Sequence, residues 1–247
     1  GDGARIIKPA VPWQHIRSIG EDLVAQDMIV PSGVKLGPYE IASLLTAAVE
    51  RVSVVRKPLV HIIPTGSELV ERGSQDMAPG EIVESNSYML AGLAREWGAD
   101  VVRHDIVPDN PALLTEALKE AAARADLIVM CSGSSAGRED YTAELIEQMG
   151  ELLVHGLAMR PGKPAILGII EGKPVIGVPG YPISAQLVFS LFARPLLFRK
   201  QGVNASEPEA LEAQMARKIA SHMGVDEFIY VNLARIGDKY VAYPLNR

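Results

Sequence analysis

Four short loops combine small residues with polar groups, and each lies beside an apolar run of the sequence. They are PTGSEL (Pro64 to Leu69), VPDNP (Val107 to Pro111), CSGSSAGRED (Cys131 to Asp140) and PGYPISA (Pro179 to Ala185). Glycine and serine let backbone N–H groups approach an oxyanion closely, and a helix that begins after such a loop adds partial positive charge. The loops therefore predict a site for a phosphate, a pyrophosphate or another tetrahedral oxyanion.

Three carboxylates accompany these loops: Glu68, Asp109 and Asp140. By themselves they would repel an anion, but Mg²⁺ between them would bind it, because Mg²⁺ takes oxygen ligands and shares them with phosphates. A structural role is open for each candidate. Asp140 could cap the helix that follows it, Asp109 could belong to a turn, and Lys163 in RPGKP could be a solvated loop charge.

Strands and helices alternate from residue 59 to residue 200. The apolar runs LVHIIP, DVVRHDIV, DLIVMCS and PVIGVPG read as strands, and each is followed by a sequence with helical periodicity. This alternation predicts an α/β fold with a mostly parallel sheet covered on both faces. Loops at the carboxyl ends of such strands share one rim, where ligands bind.

The two ends of the chain depart from this pattern. We expect residues 1–46 to be the remnant of a preceding lobe with short strands and a connecting helix over GPYEIASLLTAAV. Residues 47–200 would form the α/β domain, and residues 201–247 the start of a C-terminal β domain with a turn at Gly237-Asp238. The prediction is thus a three-layer α/β fold with partial flanking β segments at both ends.

The composition narrows the classes of partner and compartment. The chain has 247 residues, a net charge of −6 and one cysteine. No basic cluster indicates nucleic-acid binding, and no apolar run approaches the roughly 20 residues that span a bilayer. We expect a cytoplasmic protein, with Cys131 as a small core residue. The histidines lack the spacing of zinc ligands, so no zinc site is expected.

The order and spacing of six motifs resemble the molybdopterin molybdotransferase family, which includes the MoeA proteins and the E-domain of gephyrin. The motifs are PTGSEL, GEIVESN, the loop around Asp109, SGSSAGREDY, RPGKP and PGYPISA. The resemblance implies a molybdopterin-binding fold similar to that of MogA, and insertion of molybdate into adenylylated molybdopterin with release of AMP. It also implies Mg²⁺ as cofactor and a homodimer in the full-length protein.

The resemblance also implies roles for individual residues. It assigns catalysis to Asp109, Asp140, Glu68 and Lys163, and the metal to Asp109 and Asp140. The residues that it places at the bound cofactor are Thr65, Gly66, Ser67, Gly133, Ser135, Gly137, Pro161, Gly162, Pro179, Gly180, Pro182 and Ser184.

This sequence departs from the family at four of the motif positions. Ser67 replaces an aspartate, Ser132 a glycine, Ser134 a valine and Tyr181 an asparagine. A serine lacks the charge that a metal would need, and a Cβ at position 132 opposes close approach to a phosphate. Three functions stay open: molybdate insertion, a non-catalytic regulatory paralogue that binds molybdopterin or an oxyanion, and adenylyl transfer from ATP.

Overall fold

The computed structural model describes residues 3, 5, 7–73, 76–132, 140–203 and 210–245, with the backbone alone for Ser132 and Asp140. The chain forms two compact units, residues 1–54 and residues 55–247. All of the predicted site residues belong to the second unit.

The first unit contains one helix among its described residues, α1 (Pro38–Thr46). The Glu40 carboxylate accepts a hydrogen bond of 2.9 Å from the Gly37 N–H and so fixes the start of α1. The helix ends three residues before its predicted end, since Ala48 adopts a positive φ of 57°. The β segment expected at this end of the chain is wrong for the described residues, because its apolar pieces have no partner strand to pair with.

The second unit contains the strands β1 to β13. In chain order they are β1 Leu59–Thr65, β2 Leu69–Val70, β3 Ile82–Val83, β4 Asp100–Arg103, β5 Leu127–Ser132, β6 Gly150–His155, β7 Met159–Arg160, β8 Ile166–Ile170, β9 Lys173–Val178, β10 Gln214–Met215, β11 Asp226–Glu227, β12 Val231–Ile236 and β13 Lys239–Pro244. Its helices are α2 Asn86–Glu96, α3 Pro111–Arg124, α4 Asp140–Met149 and α5 Pro182–Lys200.

Six of these strands form the central sheet, in the order β4-β1-β5-β9-β8-β6. The first four run parallel, and the register pairs Thr65 at the end of β1 with Ser132 at the end of β5. These strands are nearly continuous apolar runs because both faces of the sheet are covered. The mostly parallel sheet predicted from the sequence is confirmed.

Two helical layers cover the sheet, which gives the three layers that were expected. Helices α2 and α5 pack on one face, where Leu90 and Phe189 are fully buried beside alternate residues of β5 such as Val129. Helices α3 and α4 pack on the opposite face against Ile128 and Met130. Successive side chains of one strand therefore enter two separate cores.

The antiparallel edge formed by β8 and β6 was not predicted. Gly168 interrupts the apolar run of β8, and an interior glycine weakens a strand pattern in the sequence. The structure explains the glycine, since a Cβ at this position would collide with the Ile146 side chain of α4. Gly168 therefore weakens the strand pattern of β8 because close packing of α4 on the sheet requires a glycine there.

Smaller sheets complete the second unit. Strands β12 and β13 form a hairpin whose turn contains Gly237, with a φ of 60°, as predicted. Strand β10 pairs with β13, β11 with β7, and β2 with β3. The run ARKIAS reads as a strand in the sequence but forms none, and the segment that pairs is Gln214–Met215 just before it. Within the described residues, no helix has the length and apolar character that crossing a membrane requires.

Candidate functional site

The central sheet creates a crevice at the carboxyl ends of β1 and β5. These two strands are neighbours, yet α2 after β1 covers one face of the sheet and α4 after β5 covers the other. The chain therefore leaves the two strands in opposite directions, which opens the space where ligands bind in α/β sheets. The predicted loops around Glu68 and Asp109 and after Val178 lie at this edge.

Ser67 and Asp109 join two of the loops through a reciprocal pair of hydrogen bonds. The Ser67 N–H donates to the Asp109 carboxylate at 3.2 Å, and the Asp109 N–H donates to the Ser67 hydroxyl at 3.1 Å. The Gly66 N–H donates to the Val107 carbonyl at 3.1 Å beside them. We call this pair of residues the Ser67–Asp109 clasp. Asp109 thus has a structural role in addition to any catalytic one.

The backbone before the clasp requires glycine. Gly66 is buried with a φ of 154°, and an added Cβ would lie 2.9 Å from the Leu69 side chain and 2.9 Å from the Glu68 carboxylate. Thr65 precedes it in the buried end of β1, and the Glu68 carbonyl accepts the Ile82 N–H at 2.9 Å. The PTGSEL loop is therefore held on both sides, and Ser67 is its exposed point.

The loop between β9 and α5 is tied to the start of α2. The Asn86 side-chain amide donates a hydrogen bond of 2.7 Å to the Gly180 carbonyl. Pro179 is buried before Gly180, while Pro182 and the half-buried Ser184 lie in the first turn of α5. Asn86 was missed as a site residue, although the motif GEIVESN contains it.

A cavity of about 430 Å³ lies beside this loop, and we call it the Tyr181 pocket. Its apolar lining comes from Leu69, Ile82, Val83, Tyr181 and Pro182. Its polar lining comes from Glu84, Ser85, Asn86 and the Gly180 backbone. A volume of this size suits a small organic ligand. The sequence departure at Tyr181 therefore coincides with the rim of a cavity.

A buried charge network supports the pocket. The Glu84 carboxylate, of which 3% is exposed, accepts the Ser87 N–H at 2.8 Å and the Ser87 hydroxyl at 2.5 Å. Arg103 on β4 donates to the Ser87 hydroxyl at 2.6 Å and lies 3.4 Å from Glu84. It also donates to Glu71 at 2.6 Å, and its guanidinium lies 4.4 Å from the ring centre of Tyr88.

The network also fixes the charges of its members. The hydrogen bond from Arg103 lowers the pKa of Glu71. Burial acts to lower the pKa of Arg103, but the hydrogen bond and charge of Glu71 and the hydrogen bond of Glu84 outweigh it, so that this pKa is raised. Arg103 therefore stays a cation, and it neutralises the carboxylate that lies under the pocket.

Cys131 lines the same pocket and is buried. Burial raises the pKa of its thiol, and the nearby charge of Glu84 raises it further. Since the thiolate is the reactive form of cysteine, this thiol is not a nucleophile at neutral pH. The prediction of a small core residue is confirmed.

The RPGKP loop lies at the same edge of the sheet. Strand β8 begins just after it, and Ile166 pairs with Gly177 near the end of β9. Gly162 is buried against α5, where a Cβ would lie 3.0 Å from Val188, and Pro161 is half-buried. Lys163 is exposed, which leaves its ammonium group accessible at the rim.

Several predicted residues lie outside the described part of the chain. They are Gly133, Ser135 and Gly137, together with the side chains of Ser132 and Asp140. The backbone of Asp140 begins α4. Among the described residues, no group of three or more His, Cys, Asp or Glu side chains is placed to hold a metal ion.

His61 is a buried polar residue that the site does not use. It is 2% exposed, and its Nε2 atom has no hydrogen-bond partner among the described residues. Its ring centre lies 6.0 Å from that of His104. Burial lowers the pKa of His61, and the neighbouring His104 lowers it further. His61 is therefore neutral at pH 7 and is a buried residue of β1.

Comparison with known proteins gives consistent matches. The family model described as "Probable molybdopterin binding domain" matches residues 61–199. The chain is 32% identical over 191 residues to the molybdopterin molybdenumtransferase of Haemophilus influenzae, covering 77% of this chain and 47% of that protein. It is 30% identical over 240 residues to the molybdopterin molybdenumtransferase of a Nostoc species, covering 95% of this chain and 55% of the relative.

The comparison with solved structures identifies proteins of the same kind. A crystal structure of the molybdopterin biosynthesis protein MoeA of Pyrococcus horikoshii superposes with a TM-score of 0.73 at 30% identity, and covers 92% of this chain. A second crystal structure of the Pyrococcus protein gives a TM-score of 0.78 at 34% identity, again over 92% of this chain. The chain spans about half the length of the curated relatives and of these two structures, between 47% and 55%.

Proposed function

Because the chain belongs to the molybdopterin-binding domain family, as a divergent relative of the MoeA proteins, we propose that it acts in molybdenum cofactor biosynthesis. The specific reaction would be insertion of molybdate into adenylylated molybdopterin with release of AMP. The observation that carries the proposal is the Ser67–Asp109 clasp at the crevice of a sheet that matches MoeA structures at 30% and 34% identity.

The chain offers distinct groups for the two ends of such a substrate. Its pyrophosphate needs a cation, and the exposed ammonium of Lys163 would supply one at the rim. In this proposal the residues Thr65, Pro179, Pro182 and Ser184 hold these loops in place. The work of the protein is then positioning and electrostatic stabilisation.

The carboxylates at the crevice fit Mg²⁺ rather than zinc. Mg²⁺ is held by one or two carboxylates together with phosphate oxygens and waters. Asp109 presents its carboxylate at the crevice, where the described protein donor to it is the Ser67 N–H. Asp109 would hold the ion together with Asp140, at the start of α4, with Glu68 near them. When bound, the ion would neutralise the pyrophosphate and polarise it for cleavage.

One observation favours a second function, that of a paralogue that binds molybdopterin or an oxyanion without turnover. Ser67 occupies a position where the resembling family has an aspartate, and its N–H already takes one oxygen of Asp109. The crevice consequently has one negative charge fewer, and a partly occupied Asp109. Weaker metal binding would follow from both effects.

A reconstituted assay decides between these two functions. The protein is incubated with adenylylated molybdopterin, molybdate and Mg²⁺, and the AMP released is measured by chromatography. Molybdate-dependent release of AMP supports the transferase, and a reaction without molybdate is the control. Binding of the pterin by calorimetry with no release of AMP supports the paralogue instead.

Further properties remain part of the same proposal. We propose that the protein is cytoplasmic and that its full-length form is a homodimer. We also propose that residues 47–200 are the molybdopterin-binding domain, with residues 1–46 and 201–247 belonging to neighbouring lobes. Sedimentation analysis of the full-length protein tests the dimer directly.

A further inference from the structure

A pair of histidines lies on the face of the central sheet that α3 covers. His61 of β1 points to the same side as Ile63, which packs in the core with α3, because alternate residues of a strand share a face. The ring centres of His61 and His104 are 6.0 Å apart. His61 is buried, and nothing within the described ranges of the chain pairs with its Nε2 atom. Such an atom costs free energy in the native state, which packing alone does not explain.

His104 begins the short segment that brings Asp109 to the crevice, and we call residues 104–109 the Asp109 segment. The Ser67–Asp109 clasp closes the far end of this segment. The position of Asp109 therefore depends on how firmly the segment is attached to β1. Three backbone hydrogen bonds attach it there: from the His104 N–H to the Ile62 carbonyl at 2.8 Å, from the Val107 N–H to the Pro64 carbonyl at 2.9 Å, and from the Gly66 N–H to the Val107 carbonyl at 3.1 Å.

The His104 ring is fixed at the start of the Asp109 segment. Its Nδ1 atom lies 2.7 Å from the Asp105 carbonyl oxygen, and since a carbonyl only accepts, Nδ1 carries a proton and donates. Its Nε2 atom lies 3.9 Å from the carboxylate of Glu120 on α3. The attached segment therefore holds this ring beside His61. Detachment of the segment would move the ring away and admit water to His61.

The surroundings of His61 oppose a positive charge on its ring. Burial is the largest cause that lowers the pKa of His61, and His104 and Arg124 lower it further. Glu120 acts in the opposite direction, but its side chain is 59% exposed, so solvent screens its charge. The residues that pair with His61 on the neighbouring strands are apolar and offer no counter-charge; they are Val102 on β4 and Ile128 on β5.

We propose that His61 is a pH sensor for the site, whose protonation in mildly acidic solution releases the Asp109 segment from β1 and so moves Asp109 out of the clasp. With the segment released, His61 is hydrated and takes up a proton near its ordinary pKa of about 6.5. With the segment attached, the proton binds less well. As the pH falls below about 6.5, release is therefore favoured by up to about tenfold per pH unit, and at higher pH the segment stays attached. The inference does not use the proposed reaction.

Amide hydrogen exchange of the unaltered protein, followed by NMR at about pH 7 and about pH 5.5, tests the release. Protection factors corrected for the intrinsic exchange rate should fall about eightfold at the N–H groups of Val107 and Gly66. The Asp126 N–H, which donates to the Leu59 carbonyl at 2.8 Å at the other end of β1, is the internal control and should keep its protection. An equal loss at both ends of β1 shows global unfolding and overturns the proposal, as does constant protection at Val107 and Gly66.

Variants identify the titrating group. His61→Leu cannot take up a proton, so the protection of the Val107 N–H should be the same at both pH values. His61→Gln is also neutral but keeps a polar side chain, and the same result is expected from it, so the test does not depend on one variant folding. His155→Leu is the matched control, because His155 is an exposed histidine at the end of β6, and it should retain the eightfold loss. A loss that persists in both His61 variants, or disappears in His155→Leu, overturns the proposal.

Hydrogen exchange needs no substrate, so this inference and the proposed function can fail separately. Release that depends on His61 without any AMP release keeps the sensor and removes the transferase activity. AMP release by a protein whose Asp109 segment keeps its protection at pH 5.5 keeps the transferase activity and removes the sensor.

Discussion

The Ser67–Asp109 clasp and the Tyr181 pocket lie at the same edge of the central sheet but are built in different ways. The clasp consists of two exposed or half-buried residues joined by two hydrogen bonds at 3.1 and 3.2 Å. The pocket rests on a buried carboxylate, an arginine and a serine that α2 and β4 bring together. Substitution of an exposed polar residue costs little free energy of unfolding, whereas removal of one member of the buried network costs much more.

This difference in burial suggests different roles for the two regions, a reaction at the clasp and ligand binding in the pocket. In the proposed function, the clasp would present the charge of Asp109 to a metal ion and a pyrophosphate. The pocket offers a cavity with an aromatic side chain and hydrogen-bond acceptors in its lining. The buried network of Glu84, Ser87 and Arg103 supports this lining. Substitutions in the clasp should therefore affect turnover, and substitutions behind the pocket should affect folding.

The largest effect is expected from Asp109→Asn. The amide keeps an oxygen for the Ser67 N–H but loses the charge, so AMP release should fall by about 100-fold or more. The melting temperature should hardly change, because the contact at 3.2 Å is retained. Asp105→Asn is the matched control, since Asp105 is an exposed carboxylate before the same helix. An equal loss of turnover in both variants would remove Asp109 from the catalytic role.

Arg103→Leu tests the support of the pocket. It leaves the buried Glu84 carboxylate without its cation, and we expect a loss of about 3 kcal/mol in the free energy of unfolding. Chemical denaturation measures this loss. Arg95→Leu on the exposed surface of α2 is the control and should change stability by less than about 0.5 kcal/mol. If both variants lose the same amount, Arg103 does not support the pocket as described.

His61→Leu tests the buried polar residue of β1. The pKa of His61 lies below its value of about 6.5 in an unfolded chain. As the pH falls below about 7, the unfolded state takes up the proton first, so the free energy of unfolding falls with the pH. The variant should lose this dependence, and should gain about 1 kcal/mol because an unpaired buried nitrogen is removed. Denaturation between pH 5 and pH 8 provides the measurement, and an unchanged slope would contradict this account of His61.

The smallest effect is expected from Ser67→Ala. It removes the acceptor of the Asp109 N–H at 3.1 Å, and a single exposed hydrogen bond contributes about 0.5–1 kcal/mol. Turnover should fall only a few-fold, because the Asp109 carboxylate remains. Ser67→Thr, which keeps the hydroxyl, should restore turnover. A loss as large as that of Asp109→Asn would show that the clasp itself, rather than the carboxylate, controls the reaction.

The elements that the sequence predicted best are those with a strong local signal. Asn110 before Pro111 is a sequence typical of a helix start, and its side chain accepts the Ala112 N–H of α3 at 3.0 Å. The alternation of apolar strands and amphipathic helices indicated the parallel half of the sheet. The antiparallel edge was missed because Gly168 interrupts the apolar run of β8, and this glycine is required by the close contact with α4. The site residues that were predicted came from loop motifs, while Arg103 and Glu84 carried no local sign of their pairing.

The sequence by itself determined the order of the elements, the loops at the carboxyl ends of the strands and the positions that differ from the related family. Periodicity and turn chemistry act over a few residues, so they can be read along the chain. Only the tertiary structure decided which side chains meet. Ser67 and Asp109 are separated by 42 positions in the sequence, and Asn86 and Gly180 by 94. Their contacts depend on strand order and helix packing, which no local pattern specifies.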